Sequence, residues 1–210
     1  MKKLIILFSS LFFTVSAAFA AQTADAEAFA KKLADEIMAD VVKPAKTLEQ
    51  RQDAFRRIFL SAINIKTSAR FTLGRFARTA DPEQLKAYES ALTDNIVRTW
   101  AGRFADYGGE TIRFEGARQS EKGDFYVTSK IDIPNTENDV EVVWRITDKK
   151  DELKLADLIV EGVSMLMSYR NEYAAVLQQN GGDVADLTRK LNDKNDALDA
   201  PVVKAGAKKQ

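Results

Sequence analysis

Histidine and cysteine are both missing from this 210-residue chain. Without imidazole or thiolate there is no Ser-His-Asp triad, no cysteine nucleophile, no disulfide, and none of the His or Cys ligand sets that hold zinc, copper or haem. Net charge is missing too. Its 31 basic residues balance 31 acidic ones, so no global field draws the chain to nucleic acid. Neither a phosphate-cradling P-loop nor a dinucleotide fingerprint occurs, which leaves nucleotide-driven work to a partner. Beyond the first twenty residues no stretch approaches the roughly 18 apolar residues of a membrane span. Together these absences favour a protein that binds over one that transforms.

What is present begins with an export signal over residues 1–20. Lys2 and Lys3 form its charged start, residues 4–15 its apolar stretch, and Ala18-Phe19-Ala20 its small-residue cleavage site. Cleavage is expected after Ala20. The next residue, Ala21, is not the cysteine that a lipoprotein acylates, so the mature chain is expected to be soluble. It retains about 190 residues, enough for one domain with its own core. Losing Lys2 and Lys3 leaves two more acids than bases. The expected layout is the leader (1–20), one α+β domain (21–195) and a disordered polar tail (196–210) rich in Lys, Ala and Asp.

Periodicity predicts helices first. Phe29, Leu33, Ile37 and Val41 recur at four-residue spacing over 25–42, with Pro44 as the stop. Thr47 and Gln50 form a capping box for a second helix burying Phe55, Ile58, Phe59 and Ala62. A third helix is expected over 65–77. Asp81-Pro82-Glu83-Gln84 opens a fourth, carrying Leu85, Tyr88, Leu92, Ile96, Val97, Trp100 and Phe104 and ending before Gly108-Gly109.

Four strands follow, over 111–117, 125–133, 140–147 and 153–160, separated by turn clusters short enough to require an antiparallel meander. Phe125, Val127, Ile131 and Ile133 share one face of the second strand, and Val142, Trp144 and Ile146 one face of the third. A sheet with one apolar face needs a cover. The predicted fold class is therefore α+β: a curved antiparallel sheet of about four strands wrapped by about six or seven helices, with an apolar cavity between sheet and helices. The last strand runs into a helix from Val160-Glu161-Gly162 onward that is apolar on more than one side, through Val163, Met165, Leu166, Met167, Tyr169, Ala174 and Val176. Such a helix suits either a cavity wall or a central core position. Gly181-Gly182 stops it, and a short final helix is expected over 183–192.

Several motifs invite a chemical reading. Gly162-Val163-Ser164-Met165-Leu166 sits where a hydrolase places G-x-S-x-G, but Leu166 replaces the closing glycine and no histidine exists to activate Ser164. Residues 193–198 resemble a calcium loop without its glycine at position six. Asp157, between Leu155 and Ile159, is expected to face inward with Leu155; it is either a hydrogen-bonded structural acid or, with a tyrosine, the centre of a histidine-free acid-base site. Arg70, Arg75 and Arg78 alternate with Phe71, Leu73 and Phe76. Such arginines either cover apolar surface and pair with local acids or meet anionic headgroups or a partner's acidic patch.

Four segments carry a resemblance. They are Ala69-Arg70-Phe71-Thr72-Leu73-Gly74-Arg75-Phe76, Asp81-Pro82-Glu83-Gln84, Tyr107-Gly108-Gly109-Glu110, and Val160-Glu161-Gly162-Val163-Ser164-Met165 with Tyr169-Arg170. In order and spacing they resemble the MlaC, or toluene-tolerance (Ttg2-type), family of periplasmic phospholipid-binding proteins. Ala77 stands where the family often carries an aromatic. The resemblance implies a periplasmic, non-enzymatic, monomeric shuttle that holds phospholipid as cargo and has no cofactor. It implies exchange between an outer-membrane lipoprotein and porin complex and an inner-membrane ABC transporter bearing an MCE-domain subunit, in support of outer-membrane lipid asymmetry.

Physical chemistry agrees with a carrier. At about 0.8 kcal/mol per methylene, exposing two acyl chains of roughly 16 carbons costs on the order of 25 kcal/mol. Free diffusion of lipid through water is therefore negligible. The expected sheet wall is Phe125, Val127, Ile131, Val142, Trp144, Ile146 and Leu155, and the helical wall Ile96, Trp100, Val163, Leu166 and Met167. Met165 and Met167 are adaptable fillers for mixed acyl lengths. Arg70 and Arg75 are candidate headgroup contacts. Two other classes remain: an enzyme using Asp157, and a chaperone-like periplasmic interaction protein with an exposed apolar surface.

Overall fold

The computed structural model describes residues 13–43, 46–136, 138–150 and 152–199. Residues 1–12 of the expected leader, Pro44 and residues 200–210 of the expected tail lie outside them. The chain forms two compact units, one of residues up to Glu36 with Gly108–Met165, the other of Ile37–Tyr107 with residues from Leu166 onward.

In the first unit, helix α1 (Phe13–Ile37) is continuous through Ala20 and Ala21. Its buried positions are Ala26, Ala30, Leu33 and Ala34. The expected stripe shared only Leu33 and Val41 with the residues that are buried, because weighting large side chains overlooked the alanines.

The sheet has five antiparallel strands in sequential order: β1 (Thr111–Gln119), β2 (Phe125–Asp132), β3 (Val140–Asp148), β4 (Leu153–Val160) and β5 (Val163–Ser164). Four match the expected strands to within two residues. The fifth is a correction: β4 does not run directly into a helix. Glu161 and Gly162, both at positive φ (49° and 76°), turn the chain back so that Val160 pairs with Val163 and Ile159 with Ser164. Two consecutive left-handed residues make the tight hairpin that a right-twisted sheet prefers.

Register sorts the side chains. Phe125 lies opposite Ile146, Val127 opposite Trp144, and Ser129 opposite Val142, while Ile146 lies opposite Leu155 and Trp144 opposite Leu158. Directly opposed residues share a face, so Phe125, Val127, Val142, Trp144, Ile146 and Leu155 assemble as expected, all buried. The register shifts between Arg145 and Ile146, where β4 carries one extra residue. That irregularity corrects Asp157. It opposes Arg145 rather than sharing the face of Leu155.

In the second unit α1 ends in a π turn (Met38–Val42), closed by the Lys43 N–H on the Met38 carbonyl at 3.0 Å. Helix α2 (Leu48–Ala62) opens on the Thr47/Gln50 capping box and buries Phe55, Ile58, Phe59 and Ala62. Helix α3 (Ile65–Leu73) stops earlier than the expected residue 77, because Gly74 takes φ 59° and hands over to a 3-10 turn (Gly74–Arg78). Helix α4 (Pro82–Ala105) begins at Asp81, whose carboxylate accepts from the Glu83 and Gln84 N–H groups, with Gln84 returning the capping-box bond.

Helix α5 (Met165–Gln179) ends at Gly181-Gly182, where the Gly182 N–H reaches the Leu177 carbonyl at 2.7 Å, the six-to-one bond of a glycine-terminated helix. Helix α6 (Val184–Asp199) continues past its expected end at 192, so residues 196–199 of the expected tail are helical. The reason is a buried amide pair. Asn95 Nδ2 donates to Asn195 Oδ1 at 2.8 Å, and Asn195 Nδ2 donates to the Ala91 carbonyl at 2.9 Å. Arg98 then pairs with Asp196 and Asp199. A composition dominated by Lys, Asp and Asn conceals the buried asparagine that extends the helix.

Candidate functional site

The apolar sheet face carries one bulky amphipathic ring, that of Trp144. Trp144 brings an indole N–H into it, which donates to Ser129 Oγ at 2.9 Å; Ser129 Oγ in turn donates to the Val142 carbonyl at 3.1 Å. Ser129 is fully buried, and alternation along β2 places it on the side of Phe125 and Val127. Phe114 of β1 extends this face, with its ring centroid 6.0 Å from that of Trp144.

Accessible surface divides the expected contacts. Val127 and Ile146 have none (0%). Phe125, Val142, Trp144 and Leu155 are nearly as enclosed. Ile131 is half-buried, with surface left for a ligand. Val163 shares this face through its pairing with Val160, which itself opposes Val142, and is 57% exposed. Leu158, opposite Trp144 and half-buried, joins the set. Alternation alone missed Leu158, because the irregularity before it reverses the parity of β4.

On the helices, Ile96 is buried, Trp100 and Leu166 are half-buried, and Met167 is 42% exposed. Trp100 belongs to an aromatic run that the sequence spacing had not joined. Phe59, Phe55, Phe104 and Trp100 follow one another at centroid separations of 5.8, 5.5 and 6.1 Å. A side-chain hydrogen bond links Trp100 to Tyr169. Tyr169 stacks on Tyr173, whose ring meets that of Tyr88 edge to face at 6.0 Å. Burial pushes all three tyrosine hydroxyls above their ordinary pKa, so they are neutral at physiological pH. Tyr88 shares a 2.7 Å hydrogen bond with Thr72 Oγ1, whereas the Tyr173 hydroxyl has no partner among the described residues.

Asp157 is buried and accepts from Ser164 Oγ at 2.5 Å, across the β4–β5 hairpin. The bond ties the two strands of the hairpin together. The opposite sheet face is laced with charge: Arg113 bonds Asp132 and Asp139, Lys130 pairs with Glu115, and Arg145 with Asp124. Hydrogen bonding from Arg113 holds Asp132 below the usual carboxylate range, and the neighbouring Asp132 pushes Asp139 above it.

An open depression of about 470 Å³ lies between the end of α1 and the outer edge of β1, lined by Lys31, Asp35, Ile112, Arg113, Phe114 and Glu115. Four of these six side chains are charged, which does not suit an acyl chain. Among the described residues no cluster of three or more acids is arranged to hold a metal ion, and no helix is long and apolar enough to cross a membrane. Arg70 and Arg75, the candidate headgroup contacts, are exposed on α3 and the 3-10 turn.

Comparison with known proteins extends the reading. The sequence model of the MlaC protein family matches residues 28–193. The intermembrane phospholipid transport system binding protein MlaC of Haemophilus influenzae is 22% identical over 188 residues, covering 84% of this chain and 87% of that protein. The toluene tolerance protein ttg2D of Pseudomonas putida is 21% identical over 110 residues, 52% of this chain and 51% of that one. Among solved structures, a phospholipid-binding protein from Ralstonia solanacearum, in complex with a phospholipid, superimposes with a TM-score of 0.73 at 23% identity. That likeness covers 82% of this chain and 98% of the other, and shows a shared fold.

Proposed function

Because this chain belongs to the MlaC family, its residues 28–193 matching the family sequence model, we propose that it is a periplasmic phospholipid carrier and not an enzyme. The observation that carries the proposal is this match over most of the chain, and the buried apolar sheet face gives it a physical basis. The mature protein begins at Ala21. It takes phospholipid as cargo, needs no cofactor, and exchanges it between an outer-membrane lipoprotein and porin complex and an inner-membrane ABC transporter with an MCE-domain subunit. That traffic serves outer-membrane lipid asymmetry.

Ile131, Leu158 and Val163 are the proposed acyl contacts on the sheet, over the packed layer of Phe125, Val127, Val142, Trp144, Ile146 and Leu155. On the helices the proposed contacts are Trp100, Leu166 and Met167, with Ile96 behind them. Methionine suits cargo of mixed chain length because its unbranched side chain adapts to irregular space. Ile131→Trp and Leu166→Trp test this, since both positions retain accessible surface and tolerate bulk better than a closed core does. Each is expected to lower the lipid recovered per folded protein. Unchanged lipid in both variants, with native circular dichroism, contradicts the assigned contacts.

A further inference from the structure

The segment Arg70-Phe71-Thr72-Leu73-Gly74-Arg75-Phe76-Ala77-Arg78 contributes nothing to the proposed acyl contacts, yet it is built with care. Arg170 of α5 stacks its guanidinium on Phe71, 4.8 Å from the ring centroid, and Arg75 stacks on Phe76 at 4.8 Å. Gly74 lies beside the first contact. At φ 59° it turns α3 into the 3-10 turn, and a Cβ there would stand 3.3 Å from Arg170 Nη2. Arg170 therefore lies against the stretch that separates Arg70 from Arg75 and Arg78 in sequence. Gly182 fixes the other ring, for a Cβ at that position would stand 2.9 Å from Phe76.

Like Arg103 and Arg118, which also stack on rings, these guanidiniums lack, among the described residues, the carboxylate partner that several others on the molecule have. Arg56, Arg98, Arg113, Arg145 and Arg189 each meet a carboxylate. Among the described residues Arg70, Arg75, Arg78 and Arg170 meet none; Arg70, Arg75 and Arg78 are exposed and Arg170 is half-buried. Asp81, the nearest acid in sequence, is committed to capping α4. Every cation from residue 67 to 80 is arginine and none is lysine. Arginine presents a planar fork that grips an oxyanion through two hydrogen bonds, and stacking on a ring pre-orders that fork.

We propose that Arg70, Arg75, Arg78 and Arg170 form a docking surface for an acidic segment of a protein partner, gripped through its Asp and Glu carboxylates. A membrane surface fits less well. Peripheral insertion needs apolar side chains free to enter the bilayer, and here Phe71 and Phe76 are half-buried beneath the cations. This assignment moves Arg70 and Arg75 from cargo headgroup to partner. It takes from the carrier reading only that the protein docks reversibly, and measuring bound lipid in the same samples keeps failure of one reading distinct from failure of the other.

The test is fluorescence anisotropy of a labelled ten-residue glutamate peptide titrated with the full mature protein, alongside co-sedimentation with phosphatidylglycerol vesicles. Arg75→Glu/Arg78→Glu is expected to weaken peptide binding at least about tenfold, as is usual when a close interfacial charge pair is lost. The control Lys122→Glu/Lys149→Glu, on exposed turns, is expected to change it by less than about twofold. Arg70→Lys/Arg75→Lys/Arg78→Lys, which keeps charge and removes the fork, is expected to lose several-fold. Three results overturn the proposal: no peptide binding at low salt, equal weakening by the control, or vesicle binding that depends on these arginines when peptide binding does not. A fourth, loss of bound lipid in the Arg75→Glu/Arg78→Glu protein without loss of peptide binding, overturns it as well and returns the residues to the headgroup.

Discussion

The indole nitrogen of Trp144 on β3 and the hydroxyl of Ser129 on β2 lie 2.9 Å apart on the buried sheet face. This is the one polar link that a bulky amphipathic ring needs in order to lie in an otherwise apolar layer. Ser129→Ala leaves the indole N–H buried without a partner and is expected to cost about 1–3 kcal/mol in urea unfolding. In the Trp144→Phe background, where no N–H remains, the same substitution is expected to cost less. Equal costs in both backgrounds contradict the assigned bond.

Two neighbouring tyrosines are expected to answer the same substitution with opposite signs. Tyr88 is hydrogen-bonded to Thr72, and Tyr173 is buried with no partner for its hydroxyl among the described residues. Tyr88→Phe is expected to destabilise by about 1 kcal/mol, and Tyr173→Phe to be neutral or stabilising, since it removes a desolvated hydroxyl. Thermal unfolding of the two variants side by side checks the pair; matching losses mean that the Tyr173 hydroxyl has a partner.

Asp186 near the start of α6 accepts from Asn180 at 3.0 Å and pairs with Lys190 and Arg189. The Asn180 hydrogen bond, then those of Lys190 and Arg189, hold its carboxyl well below the ordinary aspartate value. A group depressed on folding stabilises the native state above its unfolded pKa of about 3.9, and that contribution is lost as pH falls toward the folded value. Asp186→Asn is expected to lower the neutral plateau and to flatten the fall in stability from about pH 5 downward by a matching amount, because the contribution lost on acidification is the one the substitution removes. An acid limb identical to wild type contradicts this account.

The parts of the fold legible in the sequence were those set by local chemistry. Thr47 with Gln50, and Asp81-Pro82 with Gln84, announced helix starts that the structure reproduces bond for bond. Alternation in β2 and β3 named the buried face because those strands pair in even register throughout. What stayed hidden depended on partners far along the chain. The irregularity at Arg145/Ile146 moved Asp157 to the other face and brought in Leu158. Asn195 extended α6 by bonding to Asn95 and Ala91, far earlier in sequence. The two-residue strand β5 is too short for any periodicity and exists because Glu161 and Gly162 both accept positive φ. Among the candidate contacts, residue type identified the apolar face, but only accessible surface separated Ile131 and Val163 from packed Val127 and Ile146.

The most direct test of the carrier reading is mass spectrometry of an organic extract of the mature protein, purified without detergent and quantified against protein. The account predicts phospholipid near one molecule per chain, retained through gel filtration. Protein that is folded yet free of phospholipid, both as purified and after incubation with phospholipid vesicles, contradicts it.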